Sequence, residues 1–319
     1  MAVRGMMFMG MTVILLSLTG AKLGACLILD YYAFACPFAE FIVRDTVNRA
    51  IQRDMSIAAG LLRMHFHDCF VEGCDGSILI DSTSENKAEK DSPANLSLRG
   101  YEVIDEAKEM IEDRCPGVVS CADIIAMAAR DAVLFSGGPM YDVPKGRKDG
   151  RRSRIMDTIN LPFATFNASQ LIRAFGERGL SAREMVVLSG GHTLGVARCS
   201  SFKNRVSNSN SEVEGSSNVQ FLATLKSACS KGDDATVAFD ESVNDFDNSY
   251  FMGLEEGMGV LSSDQTLMSS SATRGVVGMY ASNQASFFFD FSQAMLKLGT
   301  VGVKDVPNGD VRFNCRQLN

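Results

Sequence analysis

The chain has no tryptophan, only three histidines and only seven prolines in 319 residues. Imidazole chemistry is therefore confined to His65, His67 and His192. Basic residues are in deficit, 31 against 38 acidic ones, so a nucleic-acid partner is excluded on charge. Beyond the N-terminus no run is apolar enough to cross a bilayer, a task that takes roughly 20 residues. No internal repeat is visible, and strand patterns are few. A zinc site at Cys69 and Cys74 lacks the second ligand pair at short spacing that such sites use. Disorder is also excluded, because 46% of the residues are hydrophobic and 22% charged.

What is present begins with a leader. Arg4 is the only charge before the apolar run from Met6 to Leu18, and Gly20, Ala21, Gly24 and Ala25 follow. Residues 1–25 read as a secretory signal peptide; the run is short for an uncleaved anchor. Its removal leaves 29 basic against 38 acidic residues. Nine cysteines in a secreted chain imply disulfides. Cys26 lies at the cleavage point. The other eight allow about 105 pairings, and spacing does not choose among them.

The rest reads as helix joined by loops. Val43, Val47, Ala50 and Ile51 form one stripe of a helix over 40–54, and another covers 57–70. Val103, Ile104, Ala107, Met110 and Ile111 face one way over 101–114, and Cys115-Pro116-Gly117 ends that helix. Ser120 is placed to cap the next one, with Asp123 in its first turn. Ser181 and Glu184 form a capping box for a helix to Leu188. A last helix covers about 287–298 and stops at Gly299. Tyr141-Asp142-Val143-Pro144 is expected to be a small strand, and 207–217 a Ser/Asn-rich exposed loop.

Arg63 and His67 are four apart in one helix and share a face. A neutral imidazole can take a proton, while a neighbouring guanidinium stabilises negative charge and lowers the histidine pKa. An ordinary amphipathic surface offers the same spacing. His192 follows Ser189-Gly190-Gly191, where the backbone can approach a bound group closely; it reads as a metal ligand or as a buried, hydrogen-bonded histidine.

The stretch from Ala58 to Val71, AAGLLRMHFHDCFV, resembles the distal helix of the secreted plant-type (class III) haem peroxidases. Leu188 to Thr193 resembles that family's proximal histidine motif. Tyr31-Tyr32 before Cys36-Pro37, Val119 to Asp123, Gly146 to Arg151, Phe246-Asp247-Asn248 and Ser263-Asp264-Gln265 extend the likeness over nearly the whole mature chain. The resemblance implies an all-α fold with very little β, two helical lobes sandwiching the haem, and one peroxidase domain over 26–319.

It also implies roles. His192 binds the iron of haem b and Asp264 accepts its other ring N–H. His67 is the acid–base group, Arg63 stabilises charge on the leaving oxygen, Asn95 orients His67, and Phe66 packs over the haem. Pro162 contacts substrate. Asp68, Val71, Gly73, Asp75 and Ser77 hold a distal calcium ion; Thr193, Asp240, Ser242 and Asp247 hold a proximal one, with a carbonyl from Asp245. The family pairing joins Cys36–Cys115, Cys69–Cys74, Cys121–Cys315 and Cys199–Cys229. The segment 240–247 is one residue shorter than in many relatives, and Ser242 stands where threonine is usual. Asn95-Leu96-Ser97 and Asn167-Ala168-Ser169 are glycosylation sequons, of which the second is the expected glycan site.

The function implied is that of a donor:hydrogen-peroxide oxidoreductase, taking electrons one at a time from small phenols. A monomer is expected, secreted to the extracellular space or wall, or delivered to the vacuole. The alternatives are a catalytically silent secreted protein that binds calcium or cell wall, and a zinc hydrolase using His65 and His67.

Overall fold

The computed structural model describes residues 27–207, 217–304 and 306–319. The expected leader, with Cys26, and most of the Ser/Asn-rich loop lie outside them. Twelve α-helices occupy these residues: α1 Ala39–Arg53, α2 Ile57–Val71, α3 Tyr101–Glu112, α4 Cys121–Phe135, α5 Ala168–Gly176, α6 Ala182–Ser189, α7 Cys199–Ser207, α8 Val219–Cys229, α9 Ser249–Glu255, α10 Ser262–Ser269, α11 Arg274–Ser282 and α12 Gln284–Leu298. The β content is one antiparallel pair, β1 Val196–Arg198 with β2 Thr236–Ala238, in the register Ala197 to Val237. The fold class is all-α. No helix among the described residues is long and apolar enough to cross a membrane.

Local chemistry sets most boundaries. Ser120 Oγ accepts the Asp123 N–H and caps α4. Ser181 and Glu184 exchange both bonds of a capping box at the start of α6. The last helix starts at Gln284, earlier than periodicity alone suggests, because the Asn283 side chain accepts the Ser286 N–H. The expected strand at Tyr141-Asp142-Val143-Pro144 does not form. Among the described residues that segment has no ladder partner; the isolated bridges fall at Lys145, Lys148 and Asp149 instead.

Helix α4 is the centre of the first lobe and packs against α1, α2 and α3. Cys121 to Val133 are all buried, so α4 has apolar contacts all round. Its charges are buried with partners: Arg147 donates to Asp123 at 2.8 Å and Arg130 to Asp131 at 2.8 Å. The Gly146–Arg151 motif gains a purpose here. Asp149 accepts the free N–H groups of Cys121 at 3.1 Å and Ala122 at 2.9 Å. In the second lobe α6 packs on α12, and α9 on α11. Helix α2 meets both lobes, touching the 3-10 turn Gly190–Thr193 that ends α6.

Four disulfides join Cys36 to Cys115, Cys69 to Cys74, Cys121 to Cys315 and Cys199 to Cys229. The third spans 194 residues and pins the C-terminal segment to the start of α4. Native bridges of this kind typically stabilise by about 2–5 kcal/mol each.

Candidate active site

Gly60 lets α2 approach the segment that follows Asn95. A Cβ there would lie 2.6 Å from the Arg99 carbonyl oxygen. With that approach made, His67 Nδ1 meets Asn95 Oδ1 at 2.6 Å, and Asn95 Nδ2 donates to the Glu89 carbonyl at 2.7 Å. Asn95 is 1% exposed, so its amide is unavailable to a glycan. Since Asn95 Oδ1 only accepts, Nδ1 of His67 carries the proton and Nε2 is the basic nitrogen. Arg63 Nε donates to that same Nε2 at 3.1 Å. Two partners thus specify one tautomer. Burial, then the Arg63 charge, push the His67 pKa down to about 3, against a smaller upward pull from Asn95.

Arg63 is accessible, yet surrounded closely enough that burial lowers its pKa. Nη1 donates to Ser97 Oγ at 2.8 Å and Nη2 to the Ala94 carbonyl at 2.8 Å. Ser97 was readable in the sequence only as part of a sequon; its partner is 34 residues away, so no local pattern reveals it.

On the second wall, Gly190 packs so closely that a Cβ would lie 2.6 Å from Phe287 and 2.7 Å from Phe251. This tight turn presents His192, whose Nδ1 meets Asp264 Oδ1 at 2.7 Å. Asp264 is 1% exposed, and its Oδ2 accepts the Leu261 N–H at 2.9 Å. The His192 ring stacks on Phe239 at 4.3 Å, a contact with no local sequence signal. His192 and Arg198 both reach the opposite wall electrostatically, lowering the pKa of His67 and Arg63 respectively. Phe66, half-buried, packs on Phe70 at 4.4 Å and Phe175 at 5.9 Å. Pro162 follows the 3-10 turn Ile155–Asn160, which packs on α2, and precedes Phe163, 51% exposed.

The donor set suits haem. One imidazole has Nδ1 committed to a buried carboxylate and Nε2 left to bind iron, and it lies within electrostatic reach of a base held beside a cation. The zinc alternative fails. His65, Cys69 and Cys74 place ligand atoms within 4.8 Å of one another, but the two sulfurs are bonded to each other. His65 and His67 also have separate surroundings, the first against Cys69 and the second against Asn95.

Two oxygen clusters flank the site. Asp68 and Asp75 are each 1% exposed, and burial raises both pKa values, that of Asp68 further through the Asp75 charge. Ser77 Oγ and both carboxylate oxygens of Glu89 are buried without a hydrogen-bond partner. Burial, then the charges of Asp68 and Asp75, push Glu89 up to about 9. Three buried acids and an orphaned hydroxyl fit a hard cation. Val71, the last residue of α2, and Gly73 lie within the ring closed by Cys69–Cys74. Glu89 carries no sequence signal for this position.

In the second cluster Thr193 Oγ1 is 2.7 Å from Asp240 and 3.2 Å from Asp247. Ser242 Oγ is 3.0 Å from Asp240, 3.3 Å from Asp247 and 3.3 Å from the Asp245 carbonyl. All five oxygen donors converge. Between them lies Val243, the one non-glycine among the described residues with left-handed backbone, at φ +50°. For a β-branched residue this is strain of about 1–3 kcal/mol.

An all-α fold holding a histidine–carboxylate pair opposite an arginine–histidine–asparagine set defines a haem peroxidase, and the chain belongs to the plant class III peroxidase family. The family described as Peroxidase matches residues 43–283. The chain is 60% identical to Peroxidase 47 of Arabidopsis thaliana over 91% of its own length and 88% of that protein's. It is 48% identical to Peroxidase 64 of Arabidopsis thaliana, covering 90% and 92%, and 47% identical to Peroxidase 5 of Vitis vinifera, covering 93% of each. The protein is a haem-dependent oxidoreductase that uses hydrogen peroxide and a reducing substrate. The silent-protein alternative is not favoured, since these relatives are named as peroxidases.

Proposed function

We propose that the protein is a secreted, monomeric, single-domain peroxidase carrying haem b and two calcium ions, with small phenols as its electron donors. The carrying observation is the joint geometry of Arg63, His67 and Asn95 on one wall and His192 with Asp264 on the other. Haem, when bound, supplies an iron that activates hydrogen peroxide and passes oxidising equivalents on one electron at a time. His192 Nε2 holds the iron, and Asp264 gives the imidazole anionic character by accepting from Nδ1. His67 Nε2 takes the proton from the nearer oxygen of hydrogen peroxide and delivers it to the farther one, which leaves as water. Arg63 lies where negative charge gathers on that leaving oxygen, its guanidinium fixed by Ser97 and Ala94.

Phe66 closes the distal wall. Pro162 and the exposed Phe163 offer an apolar rim to an aromatic ring. Asp68, Val71, Gly73, Asp75 and Ser77 hold the distal calcium ion; Thr193, Asp240, Ser242 and Asp247 hold the proximal one. Removal of residues 1–25 on secretion, to the wall, extracellular space or vacuole, fits four disulfides formed under oxidising conditions. A panel of donors tests the substrate class. With hydrogen peroxide, the holoenzyme is expected to oxidise small phenols far faster than non-aromatic reductants of similar potential. Equal rates for both groups would reject a phenol site.

A further inference from the structure

Asp264 does not serve His192 alone. The same Oδ1 that meets His192 Nδ1 at 2.7 Å also accepts the Tyr250 hydroxyl at 3.1 Å. Tyr250 lies on α9, is 2% exposed, and sets its ring edge-on to the His192 imidazole with centroids 6.0 Å apart. Its other flank is packed by Phe251 at 5.1 Å. Burial and the adjacent Asp264 charge hold the phenol pKa well above its ordinary value, so the O–H stays a donor.

Each hydrogen bond given to a carboxylate stabilises its charged form and lowers its basicity toward the remaining donors. Tyr250 therefore competes with His192 for one oxygen. With the hydroxyl in place, Asp264 draws less strongly on the Nδ1 proton, and the imidazole is a weaker electron donor to whatever its Nε2 binds.

Resting on the reading of His192 as the iron ligand, we infer that Tyr250 is a positioning residue that sets the imidazolate character of His192 through Asp264, and so sets the electron richness of the haem iron. The Tyr250→Phe variant removes one oxygen and keeps the ring. Its Fe(III)/Fe(II) midpoint potential is expected to shift negative, and the iron–imidazole stretching band of the ferrous protein to move to higher frequency. Tyr250→fluorotyrosine keeps the oxygen and strengthens the donor; both readouts are expected to move the opposite way. If both variants keep wild-type values, or both move in the same direction, Tyr250 is only packing. If the phenylalanine variant does not fold, the fluorinated one decides alone by the same signs. A wild-type holoprotein with no iron–imidazole stretching band overturns the His192 reading as well, whereas a normal band with unmoved potentials overturns Tyr250 only.

Discussion

His67 and Asn95, 28 positions apart in the chain, are joined side chain to side chain by a 2.6 Å hydrogen bond that decides which imidazole nitrogen is basic. The asparagine is itself held by the Glu89 carbonyl, so its orientation is fixed from behind. Acid–base groups of this kind contribute about 10²–10⁴-fold to rate. His67→Leu should slow the bimolecular reaction with hydrogen peroxide by that order while haem stays bound. Asn95→Val should slow it by about 10–100-fold, in line with the loss of other outer-shell partners. The double variant should be no slower than His67→Leu, because Asn95 acts through His67. Stopped-flow mixing with peroxide measures all three. An unaffected Asn95→Val rate would refute the tautomer role.

Calcium should hold the distal wall in place. Asp68 and Asp75 are buried beside the unpartnered Glu89 carboxyl, and Asp68 adjoins His67 in α2. Metal analysis of the purified protein is expected to give two calcium ions per chain. Excess chelator should lower the melting temperature, calcium should restore it, and magnesium should not, since that ion demands a tighter octahedron. Asp75→Asn should shrink the calcium-dependent rise. A melting temperature that ignores chelator would contradict structural calcium.

His65 should shape the acid limb of stability. It is 3% exposed, and burial followed by the Arg147 charge pushes its pKa down to about 3. An unfolded histidine titrates near 6.5. The unfolded chain therefore takes the proton first. The neutral form's contribution is complete above about pH 6.5 and is lost progressively as pH falls toward 3. Thermal melts of wild type and His65→Gln between pH 7 and 4 should show a shallower decline in the variant. Parallel slopes would exclude His65 as a contributor.

Much of this was legible in the sequence because its signals are local. The boundaries of α4 and α6 follow from Ser120 and the Ser181–Glu184 box, whose bonds close within three residues. Arg63 and His67 share a face by helical spacing alone. The strand expected at Tyr141 to Pro144 failed because a strand needs a partner, and among the described residues the pairing there is a single bridge from Ile28 to the next residue, Lys145. Ser97, Glu89, Phe239 and Tyr250 went unread for the same reason: each acts on a side chain that only the tertiary fold brings near. The sequence marked Ser242 as a place where threonine is usual; it did not show that Ser242 reaches Asp240 and Asp247, next to a left-handed Val243.

The most direct test is whether His192 is the residue that binds haem iron. Haemin titrated into the oxidised wild-type protein should show its Soret band shift and sharpen, saturating at one equivalent. His192→Ala should lose the proximal imidazole signature in the ferrous resonance Raman spectrum and regain it with added free imidazole. A wild type that leaves the haemin spectrum unchanged, or an alanine variant whose Raman spectrum matches wild type without added imidazole, would contradict the assignment.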